Sequence, residues 1–372
     1  MKLYAVIIAL LVLVGCKEAK EQAIQDSNSY SFFVGTYTDK ESQGIYTYLL
    51  ENDGMLKRVG LAAKSENPSF LAKSRDNKFL LAVNEISNED SEGTIESFEI
   101  KGDSLAFINK GTTGGAHPCF VSVNSTGFVL TANYTGGNVG LLKLDNKGKL
   151  SDLLDVDQHT GRGTTDRQEG PHAHSAWFGP ENDDVISVDL GTNELWLSRL
   201  DTKLQKITPT EQYKLSMAPG AGPRHLVFHP NNKWIYVVNE LSGTVTLVKK
   251  NIEGLYEASA SISTLPEGYS EPNTCADIHM SKDGKFLYAS NRGHNSIVIY
   301  SVSSTDGTLS FLAHESTRGD GPRNFSLSPD ESYLLVANQL TQNIVSFKRD
   351  NVTGLLTYVT QIEAPTPVCI LF

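Results

Sequence analysis

Arginine and histidine recur in one kind of place in this 372-residue sequence, at the opening of short apolar runs. HPCFVSV (117–123), PHAHSAW (171–177), GPRHLVF (222–228), TCADIHM (274–280) and GPRNFSL (321–327) supply His117, His172, His174, Arg224, His225, Asp277, His279 and Arg323. A second kind of run closes on a polar residue. FLLAVNE (79–85), FVLTANY (128–134), VISVDL (185–190), WIYVVNE (234–240) and FLYASNR (286–292) supply Glu85, Asn133, Asp189, Asn239, Glu240, Asn291 and Arg292. Brought together, three arginines, several histidines and a few carboxylates make a basic pocket with acids inside it. Guanidiniums grip planar anions and stabilise a developing oxyanion, while a histidine or glutamate moves a proton. The expected ligand is a small anion. The chain as a whole is acidic, with 32 Lys and Arg against 43 Asp and Glu, a formal charge of −11. That balance excludes nucleic acid as an expected partner, and it means that an anionic ligand needs a local basic cluster.

Blander readings apply to part of this set. Asn and Asp close strands simply to satisfy turn backbone groups, so Asn84, Asn338 and Asp189 are read as structural, whereas Asn133, His174, His225, Asp277, His279 and Arg323 are assigned to the pocket. His172-x-His174 with Asp189 or His225 could ligate a metal, but no H-E-x-x-H helix or cysteine pair supports it, so neither a metal nor a cofactor is predicted. No G-x-S-x-G elbow, P-loop or dinucleotide fingerprint is present. Cys119, Cys275 and Cys369 form no C-x-x-C pair, and their odd number implies at least one buried free thiol. Of the nine histidines, five open the first kind of run; His159, His229 and His294 fall in turns or just beyond a strand, near enough to matter, and His314 reads as surface.

The runs repeat. Strand-like segments with markers at Gly35, Asn84, Asn133, Asp189, Asn239, Asn291 and Asn338 are spaced by 47 to 56 residues, and the other motif precedes most markers by about 15 residues. Turn signals lie between them and no amphipathic helix of 10–15 residues does. A period near 50 built of short β-runs indicates a β-propeller and argues against a TIM barrel. The first marker has no upstream partner, and TPVCILF (366–372) has no marker after it. Joined, they make a seventh unit. The expected fold is all-β: one seven-bladed propeller over residues 30–372, its ring closed by the C-terminal strand (366–372) joining the N-terminal blade (31–64). Such a ring has no free sheet edge and no need of a partner strand, so a monomer is expected. The starts of the first strands and the ends of the second strands then converge on one mouth of the central channel.

At these residues the sequence resembles the seven-bladed lactonase family, which includes propeller-type 6-phosphogluconolactonases and the carboxy-muconate lactonising enzyme. The matching segments are VGTYT (34–38), NPSFL (67–71), GPHAHS (170–175), VDLGTNEL (188–195), GPRHLVFHP (222–230), YVVNEL (236–241), ADIHMSKDGKFLYASNRGHNSI (276–297), GPRNFSLSPD (321–330) and LLVANQ (334–339). The resemblance covers residues 31–372. It implies hydrolysis of a sugar or sugar-acid lactone, and a catalytic set that falls on His172 (or His174), Arg224, Glu240 and Arg292. A non-catalytic propeller binding a glycan or a protein, and a muconate-type isomerase or lyase, remain alternatives.

The N-terminus adds an address. MKLYAVIIALLVLVGC has one charge, Lys2, an apolar run from Ala5 to Val14 and then Cys16. Ten apolar residues are too few to span a bilayer but suit a signal peptide. Residues 1–15 are expected to be removed, Cys16 to be lipidated, and residues 16–29 to tether the domain outside the cytoplasm, on the periplasmic face of the outer membrane or the cell surface. The lipid is then the only contact with the membrane. Phosphorylated sugar lactones belong to the cytoplasm, so export weighs against a phosphogluconate substrate.

Overall fold

A computed structural model describes residues 29–88, 92–180 and 183–372. The predicted signal peptide, Cys16 and all of the tether but Ser29 lie outside the described residues. Among the described residues, twenty-eight strands form seven four-stranded antiparallel sheets, and the only helical element is a 3-10 turn, Asp166–Gln168. No helix of the described residues is long and apolar enough to cross a membrane.

Blades 2 to 7 each use four consecutive strands, and their first strands are Pro68–Lys73, Pro118–Val123, Ala173–Phe178, Pro223–Phe228, Thr274–Met280 and Pro322–Leu327. Blade 1 combines Pro367–Leu371 with Tyr30–Thr36, Gly44–Leu50 and Leu56–Lys64, so the C-terminal strand closes the ring as expected. First strands of neighbouring blades pack on one another around the central channel.

The burial pattern explains why the second strands were so visible. Phe79–Asn84, Phe128–Asn133, Trp234–Asn239 and Tyr333–Asn338 are buried at every position. They lie between blades with both faces covered, and so they read as continuous apolar runs instead of alternating ones. The outermost strands, such as Tyr256–Ser263, are mostly exposed.

Register corrects two expectations. Thr36 pairs with Pro367, as Asn84 pairs with Pro68 and Asn239 with Pro223. The marker of blade 1 is therefore Thr36 and not Gly35. His229 lies in the turn between first and second strands, at the far end of blade 5 from the mouth. Its Nδ1 accepts from Asn231 N, and its backbone NH bonds Trp234 O. Ser74, Ser281 and Ser328 occupy the same turn position in other blades, so His229 shapes a turn.

Candidate active site

The seven markers are structural. The Asn133 side chain is fully buried and donates to Thr113 O and to Asn138 Oδ1. Asn84, Asn291 and Asn338 likewise bond the chain arriving from the preceding blade, at Glu66 O, Thr264 O and Thr317 O. Each is an interblade staple made within the blade wall. Asn133 is thereby withdrawn from the predicted pocket.

The next position varies from blade to blade. Tyr37, Glu85, Tyr134, Leu190, Glu240, Arg292 and Gln339 follow the markers, and five of them, all but Leu190 and Gln339, build the mouth. Glu240 is 5% exposed and lies amid three guanidiniums. Arg224 Nε and Arg292 Nη2 approach its Oε2 at 3.1 and 3.0 Å, and Arg167 Nη2 approaches Oε1 at 3.3 Å. Burial raises the Glu240 pKa, but Arg292, Arg224, Arg167 and Arg323 outweigh it and hold the carboxyl below its ordinary value. Glu240 is thus an ionised anchor. Arg224 is wholly enclosed; burial, then Arg292 and Arg323, pull its pKa down to about 10, which leaves it a cation at neutral pH. The Nε of Arg292 is buried without a hydrogen-bond partner among the described residues. An orphaned donor of this kind, aimed at no protein acceptor, suits a ligand oxygen.

Arg323 forms the other side. Its Nη2 is 3.9 Å from Glu85 Oε2, too long for a hydrogen bond, and its guanidinium lies 5.4 Å from the centroid of the Tyr37 ring. Tyr37 instead donates to Glu85 at 2.7 Å. The four guanidiniums outnumber the three carboxylates described there, Glu85, Glu240 and rim Glu169, so the mouth is positive in an acidic protein.

His172 stands on the rim. At the equivalent position Asn67, His117, Gly222, Gly321 and Thr366 have positive φ, but His172 does not. Asp189 Oδ1 accepts from the backbone NH of His172 and of Thr192 and holds the chain there. The imidazole stacks on Tyr134, with centroids 4.5 Å apart and planes at 11°. Its Nδ1 meets Tyr134 O at 3.1 Å and its Nε2 meets Glu169 Oε1 at 3.2 Å. The Glu169 side chain is largely exposed and free to swing into solvent. Asp189 turns its other oxygen to buried His159 at 2.7 Å, and His159 stacks on Trp196. His159 thus acts behind the mouth. The His117 side chain bonds Thr135 and is half-buried.

His174, His225 and Asp277 lie below the mouth and are buried. His174 touches Cys119 and Tyr134 and faces the edge of His225. Asp277 is saturated by His225 Nδ1, His279 Nε2, Asn324 Nδ2 and the backbone NH of Ile278. His279 pairs with Tyr288, well down the strand from the mouth pair Thr274 and Arg292. This places His225, Asp277 and His279 further along their strands from the mouth end than Arg292. Among the described residues no three His, Cys, Asp or Glu side chains converge as a metal requires. The three described cysteines are free and buried, and burial pushes the Cys119 thiol far up, which makes it a poor nucleophile.

The buried histidines make stability depend on pH. Burial first, then Arg224, lowers His225 to about 4 and takes His174 well below its usual value. As pH falls from about 6.5 toward 4, the unfolded chain takes up protons that the folded imidazoles refuse. His225 alone removes on the order of 3 kcal/mol across that window. The melting temperature, followed by calorimetry, should fall steadily from pH 7 to pH 4; a flat profile contradicts this burial.

Arg167, Tyr134, Tyr37 and Glu169 were missed in the sequence. The tyrosines stand one residue beyond a marker, where the repeat varies. Arg167 and Glu169 ride in or beside the 3-10 turn Asp166–Gln168, part of the extra chain behind the longest marker spacing, 56 residues from Asn133 to Asp189.

Comparison with known proteins agrees with this architecture. The model of the family described as Lactonase, 7-bladed beta-propeller, matches residues 31–372. A 6-phosphogluconolactonase of Bacillus subtilis is 38% identical over 92% of this chain and 98% of its own. One of Formosa agariphila is 37% identical, over 88% and 95%. The crystal structure of a periplasmic gluconolactonase of Pseudomonas aeruginosa superposes with a TM-score of 0.87 at 28% identity, covering 92% of this chain and 98% of that one. The chain belongs to the seven-bladed β-propeller lactonase family.

Proposed function

We propose that the protein is a lactone hydrolase that opens a small sugar or sugar-acid lactone at the arginine-lined mouth, and that it prefers one bearing an anionic group. The observation that carries this reading is the caged carboxylate: Glu240 fixes Arg224, Arg292 and Arg167 around one point. Arg224 and Arg292 receive the lactone carbonyl and stabilise the oxyanion formed when water adds. Glu240 keeps them in place and stays ionised. His172 Nε2 takes the proton of the attacking water once Glu169 turns away, because Nδ1 facing Tyr134 O sets the tautomer that leaves Nε2 as base. The C–O bond of the tetrahedral intermediate then breaks, and the proton returns to the departing ring oxygen. Arg323 takes the substrate's own carboxylate or phosphate.

The relatives' names support lactone chemistry, and the Pseudomonas protein's name supports a gluconolactone handled outside the cytoplasm. The N-terminal segment supports export and lipid attachment at Cys16, which favours a non-phosphorylated lactone. The test is a panel of glucono-1,5-lactone, glucaro-1,4-lactone and 6-phosphoglucono-1,5-lactone. At low salt, kcat/KM should be at least about tenfold higher for an anionic member than for the neutral one, and the gap should shrink with added salt. Equal rates on all three contradict the anionic preference, and no turnover on any contradicts the hydrolase.

Arg167 should matter moderately. Its side chain is half exposed and its ion pair with Glu240 is long, so Arg167→Ala should leave the melting temperature nearly unchanged. Kinetics should show kcat/KM lowered by about 3–10-fold, the range for one partly solvated guanidinium–anion contact.

A further inference from the structure

We infer that Asp277 and His225 form a positioning pair that fixes the guanidinium of Arg224 from beneath the mouth. The hydrogen bonds admit one proton arrangement. Arg224 Nη1 has two protons: one goes to Ala276 O, and the other points to His225 Nε2 at 3.3 Å. His225 Nε2 is therefore an acceptor. On the other side of the ring, Nδ1 lies 2.8 Å from Asp277 Oδ1, a carboxylate oxygen, so Nδ1 carries the proton. Asp277 cannot move to another partner, because His279, Asn324 and Ile278 N hold it from three sides. The His225 ring cannot rotate, because Phe70, Phe120, Trp177 and His174 meet it edge-on or nearly so. The result is a rigid line from Asp277 through neutral His225 to Arg224. With Nε facing Glu240 and Nη1 held by His225 and Ala276, the guanidinium plane is fixed before substrate arrives, as preorganised electrostatic stabilisation requires. His225 and Asp277 thus serve the reaction without touching the substrate.

The charged and titratable groups facing His225 are Arg224 on its own strand, Asp277 and His279 on blade 6 and His174 on blade 4. A proton on Nε2 would set an imidazolium against the Arg224 guanidinium and break the line.

Two measurements test this. The first is a double-mutant cycle on lactone hydrolysis, which rests on the proposed activity. His225→Phe should lower kcat by about 10–100-fold with KM little changed, yet by less than about 2-fold when Arg224 is already alanine. Equal losses in both backgrounds, or no loss in the native background, would overturn the positioning role. The second needs neither activity nor a variant. In protein labelled with 15N-histidine, Nδ1 of His225 should resonate as a protonated pyrrole-type nitrogen and Nε2 as a bare pyridine-type one from pH 6 to 8. The reverse tautomer or an imidazolium overturns the inference. Absence of lactone turnover with the expected tautomer would defeat the proposed activity and leave the hydrogen-bonded line standing.

Discussion

Arg224→Ala should lower kcat/KM for lactone opening by about 10²–10³-fold, the cost of removing one principal oxyanion donor. Arg224 contributes more than a positive charge. Its Nε faces Glu240, its Nη1 is bound to Ala276 O and His225, and its side chain is almost wholly enclosed. Its removal also exposes Glu240 to a poorer balance, since only Arg292 and the half-exposed Arg167 remain beside it. Loss of one partner of a buried ion pair costs about 3–5 kcal/mol of stability, so folding has to be monitored alongside rate. Arg224→Lys separates the two effects. It keeps the charge without the planar fork, and it should retain the fold yet lose at least about tenfold in kcat. Steady-state kinetics on both variants, with circular dichroism to confirm folding, checks this; near-native kcat in Arg224→Lys would show that charge alone suffices.

Deletion of residues 366–372 should have the largest effect on stability. The strand Pro367–Leu371 is the innermost of blade 1 and pairs with Tyr30–Thr36. It buries Val368, Cys369 and Ile370, and the backbone NH of Ile370 bonds the Asn324 side chain of blade 7. Burying a Val- or Ile-sized side chain contributes about 1.5–3 kcal/mol each. Deletion forfeits those contributions and leaves the edge of Tyr30–Thr36 unpaired, a template for aggregation. The expected outcome is loss of a cooperative thermal transition and a shift to large species in size-exclusion chromatography. A truncated chain that melts cooperatively within a few degrees of the native one would show that the ring tolerates an open blade.

The ring was legible because second strands are buried on both faces: a run such as FLLAVN or WIYVVN has no solvent side to interrupt it. The closure was legible because two unpaired half-motifs at opposite ends of the chain complete one blade. The register of blade 1 was not, since Thr36 stands where other blades have Asn or Asp and the adjacent Gly35 drew the eye. The site divided along a physical line. A residue type that recurs blade after blade, the marker asparagine, staples one blade to the next at Asn84, Asn133, Asn291 and Asn338, which is why Asn133 belongs to the wall. The residue after it changes from Tyr to Glu to Arg, and this variation within a repeat marks the mouth. Arg167 sits on an insertion with no counterpart in other blades, so periodicity had nothing to compare it with. The depth of His225, Asp277 and His279 was hidden because strand position alone does not tell a rim residue from one a turn further down the channel.

The cage also shows how an acidic protein attracts an anion. Charges elsewhere on the surface are screened within about 8 Å at physiological ionic strength, whereas the arginines around Glu240 are close together and largely buried. The local field at the mouth, and not the net charge of −11, governs what binds there.

The most direct measurement is lactone hydrolysis by the purified protein, followed with a pH indicator as the carboxylic acid product releases its proton, with native, Arg224→Lys and Arg224→Ala proteins run side by side. The account predicts turnover well above the spontaneous rate for at least one sugar lactone, falling in the order native, Arg224→Lys, Arg224→Ala while all three remain folded. Turnover unaffected by either folded variant, or no turnover by the native protein on any neutral or anionic sugar lactone, would contradict it.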